Sequence, residues 1–280
     1  MGTEKPSFPS EWYDHRYFDG MAAGGFEYFC RHRGRAVTVA RMRDLAYLQL
    51  CPGMTALDIG CGRGELIMYA SLEMGVTGLG IDYASAGLER GAKCLEFFSE
   101  SDRKHILLCR ADATALPFRT GTCDRIMSWA TLEHLFPWQL ELMLSECSRL
   151  LKRDGIMVLG THPTSWYERG GYRLNRIARS LVGDHTLLPY EEMKADGVEH
   201  VHTLSPIELL HSLHSHGFYS VLRFEPRTKL GINSKVLRVT AKLLERLPVV
   251  KAFFCAEIVT ISAKNRQHLR EHLATLKAGP

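Results

Sequence analysis

The stretch Leu57-Asp58-Ile59-Gly60-Cys61-Gly62-Arg63-Gly64 decides which fold this sequence can adopt. An apolar strand pattern leads into it from Met54, and a helical pattern follows it from Glu65. Its three glycines let the backbone bend sharply, and they let a ligand approach closely because no Cβ atom stands in the way. The helix after them presents unpaired N–H groups in its first turn. The stretch therefore predicts a strand, a ligand-binding turn and a helix in direct succession.

The same alternation of strand and helix continues along the chain. Strands are predicted at 54–59, 76–81, 106–109, 124–128, 156–159, 218–224 and 253–262, and helices at 65–74, 85–98, 137–151, 205–216 and 235–247. Most of the strands are short apolar runs, which is typical of a parallel sheet with helices on both faces. The sequence thus predicts a doubly wound α/β fold with a mostly parallel, seven-stranded sheet. A final hairpin is expected to give it an antiparallel edge strand.

Two segments depart from this alternation. Residues 1–50 begin with aromatic residues, among them Tyr13 and Tyr17, and then show a helical pattern from Gly34 to Leu50. We interpret them as an N-terminal helical lid. Residues 161–204 form a long insert after the fifth strand, rich in glycine, tyrosine, arginine and histidine, and this predicts a substrate cover. Residues 51–280, with this insert, are expected to form one domain.

Three acidic residues stand at the ends of the first three predicted strands. Asp58 lies in the first strand just before the glycine turn, Asp82 ends the second, and Asp112 follows the third. The carboxyl ends of parallel strands meet at one crevice, so these acids are expected to face one ligand. A carboxylate at Asp82 can accept hydrogen bonds from both hydroxyls of a ribose. Tyr83 can cover an adenine face, and Asp112 or the neighbouring backbone at Ala113 can bond the adenine amino group.

This set of motifs resembles the class I methyltransferases that use S-adenosylmethionine. The family's D/E-x-G-x-G-x-G pattern is matched by Asp58 and the three glycines, and its acids after the second and third strands by Asp82 and Asp112. The fourth strand, 123–128, is similar to the family's F-D-x-V/I block, and 129–135 to its L-E-H segment. Residues 151–155 are similar to the L-K-P-G-G block, although Arg153-Asp154 replaces Pro-Gly. The resemblance covers residues 50–160 well and 205–262 by rhythm alone.

The resemblance implies S-adenosylmethionine as the cofactor, lying across the ends of the first strands. The residues expected to bind it are Tyr13, Tyr17, Asp58, Gly60, Cys61, Gly62, Gly64, Asp82, Tyr83, Asp112, Ala113 and Trp129. A nicotinamide dehydrogenase is the rival interpretation, but its fingerprint is G-x-G-x-x-G, whereas this chain has G-x-G-x-G. The acid before the first glycine would also repel a pyrophosphate, while it suits the cationic sulfonium compound.

Two histidines are the candidate catalytic residues. His134 follows the fourth strand and is expected near the methyl group, where it can take a proton from the acceptor. A role in bonding the backbone or seating the cofactor is an equal alternative. His162 follows the fifth strand, and with Trp166 and Tyr167 it can line an acceptor pocket. A purely structural loop explains these three residues equally well.

No metal site is predicted. The eight cysteines are scattered and contain no C-x-x-C pair, and His185, His200 and His202 have no acid or cysteine nearby at ligand spacing. Unpaired cysteines are typical of reduced thiols in the cytoplasm, where the protein is expected. The N-terminus lacks the apolar region of a secretory signal, and no apolar run approaches the ~20 residues that span a bilayer. We therefore expect no integral association with a membrane.

The sequence predicts methyl transfer to an oxygen, nitrogen or carbon atom of a small-molecule acceptor, because long covers such as 161–204 enclose small acceptors. Two alternatives stay open. Arg169, Arg173, Arg176 and Arg179 could form a basic edge for RNA or protein, although a net charge of +4 weighs against a nucleic-acid partner. A non-catalytic scaffold that binds the cofactor is the other. A basic helix at 235–247 admits contact with a membrane surface as a minor possibility. The oligomeric state is not predicted.

Overall fold

A computed structural model describes residues 9–20, 23–162, 164–181, 200–225, 255 and 257–278. Its centre is a seven-stranded sheet in the order β3-β2-β1-β4-β5-β7-β6. The strands are β1 (Thr55–Ile59), β2 (Thr77–Asp82), β3 (Ile106–Arg110), β4 (Cys123–Trp129), β5 (Leu151–Thr161), β6 (Tyr219–Glu225) and β7 (Glu257–Ala263). This order reverses at β1, which places the glycine turn beside the crevice between β1 and β4.

The direction of the strands confirms the predicted mixed sheet. β1 pairs in parallel with β2 and β4, β2 with β3, and β4 with β5. β7 pairs antiparallel with β5 and with the edge strand β6. The one reversed strand, β7, therefore lies one position in from the edge, and β6 closes the sheet as its antiparallel partner.

Helices cover both faces of this sheet. In the described ranges they are α1 (His15–Gly20), α2 (Ala23–Arg31), α3 (Val39–Ala46), α4 (Glu65–Met74), α5 (Ser85–Leu95), α6 (Glu100–Arg103), α7 (Pro137–Leu150), α8 (Tyr172–Leu181), α9 (Pro206–Ser215) and α10 (Arg266–Ala278). Single 3₁₀ turns lie at Ser10–Trp12 and Leu132–His134, and a π-helical segment, Tyr167–Gly171, precedes α8. None of the helices in the described part of the chain is long and apolar enough to cross a bilayer.

The core is divided by the sheet into two layers, as the alternation of side chains along a strand requires. In β1, Leu57 and Ile59 pack with α7 and α9 on one face, while Ala56 faces the opposite layer. In that second layer, side chains of α3, α4 and α10 pack on the sheet, for example Ile67 from α4. Both layers hold the sheet rigid, so the loops at its carboxyl edge are carried on a fixed support.

Several boundaries differ from the sequence-based expectation. The helix predicted from Gly34 to Leu50 is the shorter α3, because Gly34 has φ +78° and Gln49 has φ +47°, which no α-helix accommodates. The turn predicted at Asp154-Gly155 lies inside β5, opposite a shift in register near Cys123 on β4. The predicted helix at 235–247 and most of the insert, 182–199, lie outside the described residues. The division at residue 50 remains a prediction.

Candidate functional site

A cavity of about 250 Å³ opens at the carboxyl ends of β1 to β4. Its wall is formed by the glycine turn, the loops after β2, β3 and β4, and side chains from α1, α3 and α4. The lining residues are Tyr13, Tyr17, Phe18, Arg41, Gly60, Cys61, Gly62, Arg63, Glu65, Ile81, Asp82, Tyr83, Ala111, Asp112, Ala113, Trp129, Ala130, Thr131, His134, Leu135 and Gln139. Ten of the twelve residues predicted to bind the cofactor are among them, and Asp58 and Gly64 are not.

The glycine turn adopts a conformation that requires glycine. Gly60 and Gly64 have φ +73° and +75°, and Gly62 has φ +57°. A Cβ on Gly60 would lie 2.1 Å from Oγ1 of Thr131, so the turn after β4 excludes any larger residue there. The amides of Gly60 and Cys61 both donate to the Ile81 carbonyl at 2.9 Å, which ties the turn to the end of β2. Gly64 ends the turn as the residue before α4.

Asp82 joins the glycine turn to the loop after β2. One carboxylate oxygen accepts from the Gly62 amide at 2.7 Å, and the other accepts from the Ala84 amide at 2.8 Å. Burial raises the pKa of this carboxyl, while its backbone hydrogen bonds act in the opposite direction. Each oxygen has a second lone pair, so the carboxylate can still accept from a ligand hydroxyl.

Asp58 is buried beneath the turn and does not line the cavity. Burial, opposed by the charge of Arg41 and assisted by those of Glu65 and Asp82, raises its pKa to about 7. The pKa of a carboxyl in this position depends on charges in the cavity, although the carboxyl itself does not line the cavity. Asp58 thus lies outside the cavity lining, and its predicted contact with the cofactor stays a prediction.

The far end of the cavity carries the residues predicted to surround an adenine. Asp112 is exposed, and one of its oxygens accepts from both the amide and the hydroxyl of Thr114 at 2.8 Å. This local turn fixes the loop that carries Ala113. Tyr83, 43% exposed, lines the cavity from the neighbouring loop. Trp129, at the end of β4, is buried and contributes an apolar wall.

Aromatic rings from residues 13–18, part of the predicted N-terminal lid, line the cavity. The rings of Tyr13 and Tyr17 meet edge to face with centroids 5.2 Å apart, and Tyr17 and Phe18 do so at 5.1 Å. Burial raises the pKa of both tyrosines, so both hydroxyls stay protonated at neutral pH. Both predicted tyrosines therefore lie on the cavity.

Arg63 fastens this lid to the glycine turn, and the sequence analysis gave it no such role. Its guanidinium is buried, donates to the Phe18 carbonyl at 2.7 Å and to Glu65 at 3.2 Å, and lies 4.4 Å from the centre of the Phe26 ring. A charged side chain inside a glycine turn is the signal that could have revealed this contact. Arg41 and Glu65 were also missed, because they precede or follow the motif on helices.

The two candidate catalytic histidines take different positions. His134 lines the cavity, and its ring meets that of Tyr13 edge to face at 5.6 Å. His162 does not line the cavity, and its Nδ1 lies 3.4 Å from Oε1 of the buried Glu133. The other Glu133 oxygen accepts from the Thr161 hydroxyl at 2.8 Å. Of the other pocket candidates, Trp166 lines a separate cavity, and Tyr167 lines neither.

Comparison with known proteins shows what this chain is similar to. The sequence profile of a family described as a methyltransferase domain matches residues 57–159. Cyclopropane mycolic acid synthase 1 of Mycobacterium tuberculosis is 32% identical over 130 residues, which cover 45% of this chain and 44% of that protein. Hydroxymycolate synthase of Mycobacterium bovis is 26% identical over 209 residues, covering 71% of this chain and 67% of that one. The match with the first relative thus spans less than half of its length.

The fold is shared with solved methyltransferase structures. Geranyl diphosphate C-methyltransferase from Streptomyces coelicolor, in complex with Mg²⁺, geranyl diphosphate and S-adenosyl-L-homocysteine, superposes with a TM-score of 0.58 at 16% identity. The superposition covers 93% of this chain and all of that one. The glycine turn, the acids at the strand ends and this sheet order together define the class I architecture. Residues 57–159 match the methyltransferase-domain profile, and the chain has the Rossmann-like fold of the S-adenosylmethionine-dependent methyltransferases.

Proposed function

We propose that this protein is an enzyme that transfers the methyl group of S-adenosylmethionine to an oxygen, nitrogen or carbon atom of a small-molecule acceptor. One observation carries the proposal: a single cavity joins the glycine turn, the acids Asp82 and Asp112, an aromatic lid and His134. The length of this cavity along four strand ends suits an extended nucleoside with an amino-acid tail.

The residues of the cavity fit the parts of the cofactor in order. Asp82 would accept the ribose hydroxyls, while Tyr83, Asp112 and Ala113 would surround the adenine. At the other end, Arg41 suits the carboxylate of the methionine part and Glu65 its ammonium group. In its ionised form the buried Asp58 adds negative potential near the turn, and this form is favoured by a cationic sulfonium rather than by a pyrophosphate.

Methyl transfer requires that the protein align the acceptor and exclude water rather than form a covalent intermediate, because the cofactor supplies an activated leaving group. The lid rings of Tyr13, Tyr17 and Phe18 exclude water from the cavity. His134, on the cavity wall, is the group we propose to take a proton from a hydroxyl or amine acceptor. His162 would act from the far side of Glu133 and needs the acceptor to reach past it.

A small, apolar acceptor is supported by the chemistry of the relatives. The names of the two mycobacterial relatives above refer to mycolic acids, and a further relative from Candida albicans is a sphingolipid C9-methyltransferase. We propose a lipid-like molecule as the first class of acceptor to test. A cytoplasmic location remains part of this proposal, and the eight free cysteines support it.

Transfer of a labelled methyl group tests the proposal. The full chain is incubated with S-adenosylmethionine labelled in its methyl group and with separate pools of fatty acyl compounds, phenols, amines, RNA and protein. Label in a small-molecule product, slowed by His134→Ala without loss of cofactor affinity, is expected. Label in RNA or protein alone would contradict the proposed acceptor, and cofactor binding without transfer to any pool would favour the scaffold.

A further inference from the structure

Three potential metal ligands from two distant parts of the chain meet beside the cofactor cavity. A nitrogen of His134, a nitrogen of His200 and a carboxylate oxygen of Glu133 all lie within 4.8 Å of one another. The rings of His134 and His200 have centroids 5.3 Å apart. Glu133 is buried, and both histidines are half-buried. Ligand atoms of one zinc ion lie closer together than this, because Zn–N bonds measure ~2.0–2.1 Å, so binding requires the side chains to move towards one another.

The backbone holds this arrangement in place. Glu133 and His134 lie in the 3₁₀ turn after β4, and the amides of Val201 and His202 donate to the Glu133 carbonyl at 3.0 and 3.3 Å. These two hydrogen bonds fix the segment that carries His200 against the turn. The Thr161 hydroxyl, itself buried, donates to one Glu133 oxygen at 2.8 Å and thereby orients the carboxylate. Such contacts are the support that metal ligands usually have.

We propose that Glu133, His134 and His200 bind one divalent transition-metal ion, with zinc as the best match. Imidazole nitrogens favour zinc and its neighbours in the first transition row over magnesium or calcium, which prefer oxygen ligands. Two histidines with one carboxylate leave coordination positions open, as in catalytic rather than structural zinc sites. The ion neutralises the carboxylate that is buried at this point.

The position of the ion suggests its use, and this part rests on the proposed function. His134 lines the cofactor cavity, so an ion on its imidazole lies at the acceptor end. An oxygen atom of the acceptor could occupy an open position, where the ion would lower the pKa of a hydroxyl so that its proton is released to solvent. The methyl group would then pass from the sulfonium sulfur to that oxygen, leaving the neutral thioether. His134 then binds the ion and acts through it, instead of taking the proton itself. The substrate class that fits is an acceptor with a hydroxyl or carboxylate group.

Metal binding itself is the test. The full chain, freed of metal with a chelator, is titrated with Zn²⁺ by calorimetry and with Co²⁺ by visible absorption. We expect one equivalent to bind, with the d–d bands of a nitrogen- and oxygen-ligated Co²⁺. Both His200→Ala and His134→Ala should weaken binding at least ~10-fold, because each removes one of three ligands. His202→Ala, in the same segment, keeps its backbone amide and should bind as the wild type does.

The outcomes separate the metal site from the cofactor site. Affinity for S-adenosylhomocysteine is measured on the metal-free protein. A failure to bind metal therefore leaves the test of cofactor binding unaffected. Absence of binding, or binding that survives both His200→Ala and His134→Ala in folded protein, would overturn the site. Thermal unfolding of each variant shows that it is folded, and the two histidine variants act as checks on each other.

Discussion

The substitution Asp82→Asn removes the charge that we assign to ribose binding while it preserves the size of the side chain. The carboxylate now accepts from the Gly62 and Ala84 amides, one with each oxygen. An asparagine keeps one acceptor oxygen and turns an NH₂ group towards the other amide. One buried amide then loses its partner, which lowers the free energy of unfolding by ~1–3 kcal/mol.

The effect on the cofactor is worked from the same geometry. A hydroxyl that donates to a charged acceptor contributes ~1.5–3 kcal/mol, and at least one such bond to the ribose is lost. Affinity for S-adenosylhomocysteine should therefore fall ~10- to 150-fold. Asp124→Asn is the matched control, because Asp124 also accepts from a backbone amide, that of Thr55 at 2.9 Å, but lies at the opposite end of the sheet.

Calorimetric titration with S-adenosylhomocysteine measures the affinity of both variants, and chemical denaturation measures their stability. Asp124→Asn should lose stability and keep the wild-type affinity. Asp82→Asn should lose both. If folded Asp82→Asn bound the ligand within about threefold of the wild type, a contribution of ~0.7 kcal/mol or less would be too small for a charged ribose contact, and the assignment would fail.

Three further substitutions test other parts of the site. Gly62→Ala adds a methyl group 3.4 Å from the Phe18 ring and should weaken S-adenosylhomocysteine binding in calorimetry by ~10-fold, whereas Gly121→Ala, also left-handed but in open space, should leave it unchanged. Asp58→Asn should flatten the pH dependence of the free energy of unfolding, because the pKa of Asp58 is raised to about 7 in the folded protein. As the pH rises from ~4 to ~7, the wild type should lose up to ~4 kcal/mol of stability relative to the variant, as measured by chemical denaturation. A relative stability that stays constant over that range would contradict the burial argument. Arg63→Lys should speed amide exchange in α1 about 5- to 100-fold, because it loses hydrogen bonds to Phe18 and Glu65, and unchanged protection would show that the lid is held elsewhere.

The parts of the fold that the sequence predicts are those encoded locally. The apolar runs at β1, β2 and β4 and the glycines between β1 and α4 each specify their own conformation, so α4 begins and ends where it was predicted. The capping box at Ser205 and Glu208 likewise marks the start of α9. The prediction of one helix from Gly34 to Leu50 was wrong at both ends, because the helical spacing of apolar residues continues across positions whose φ is positive. The spacing of apolar residues carries no information on φ.

The parts of the site that the sequence could not predict depend on contacts between distant segments. Arg63 was passed over because its partner, the Phe18 carbonyl, is a backbone atom 45 residues away. His200 has no acid or cysteine at ligand spacing in the sequence, because Glu133 lies much earlier in the chain. The two segments are brought together by hydrogen bonds from the amides of Val201 and His202 to the Glu133 carbonyl. Asp58 was predicted to contact the ligand because strand ends meet at a crevice, whereas in the structure it is buried and does not line the cavity.

The most direct test of the account is a crystal structure of the full chain grown with S-adenosylhomocysteine. We predict ligand density across the carboxyl ends of β1 to β3, with the ribose hydroxyls on Asp82, the adenine between Tyr83 and Ala113, and the sulfur pointing towards His134. A well-ordered ligand elsewhere on the protein, or an empty cavity in crystals saturated with the compound, would contradict it.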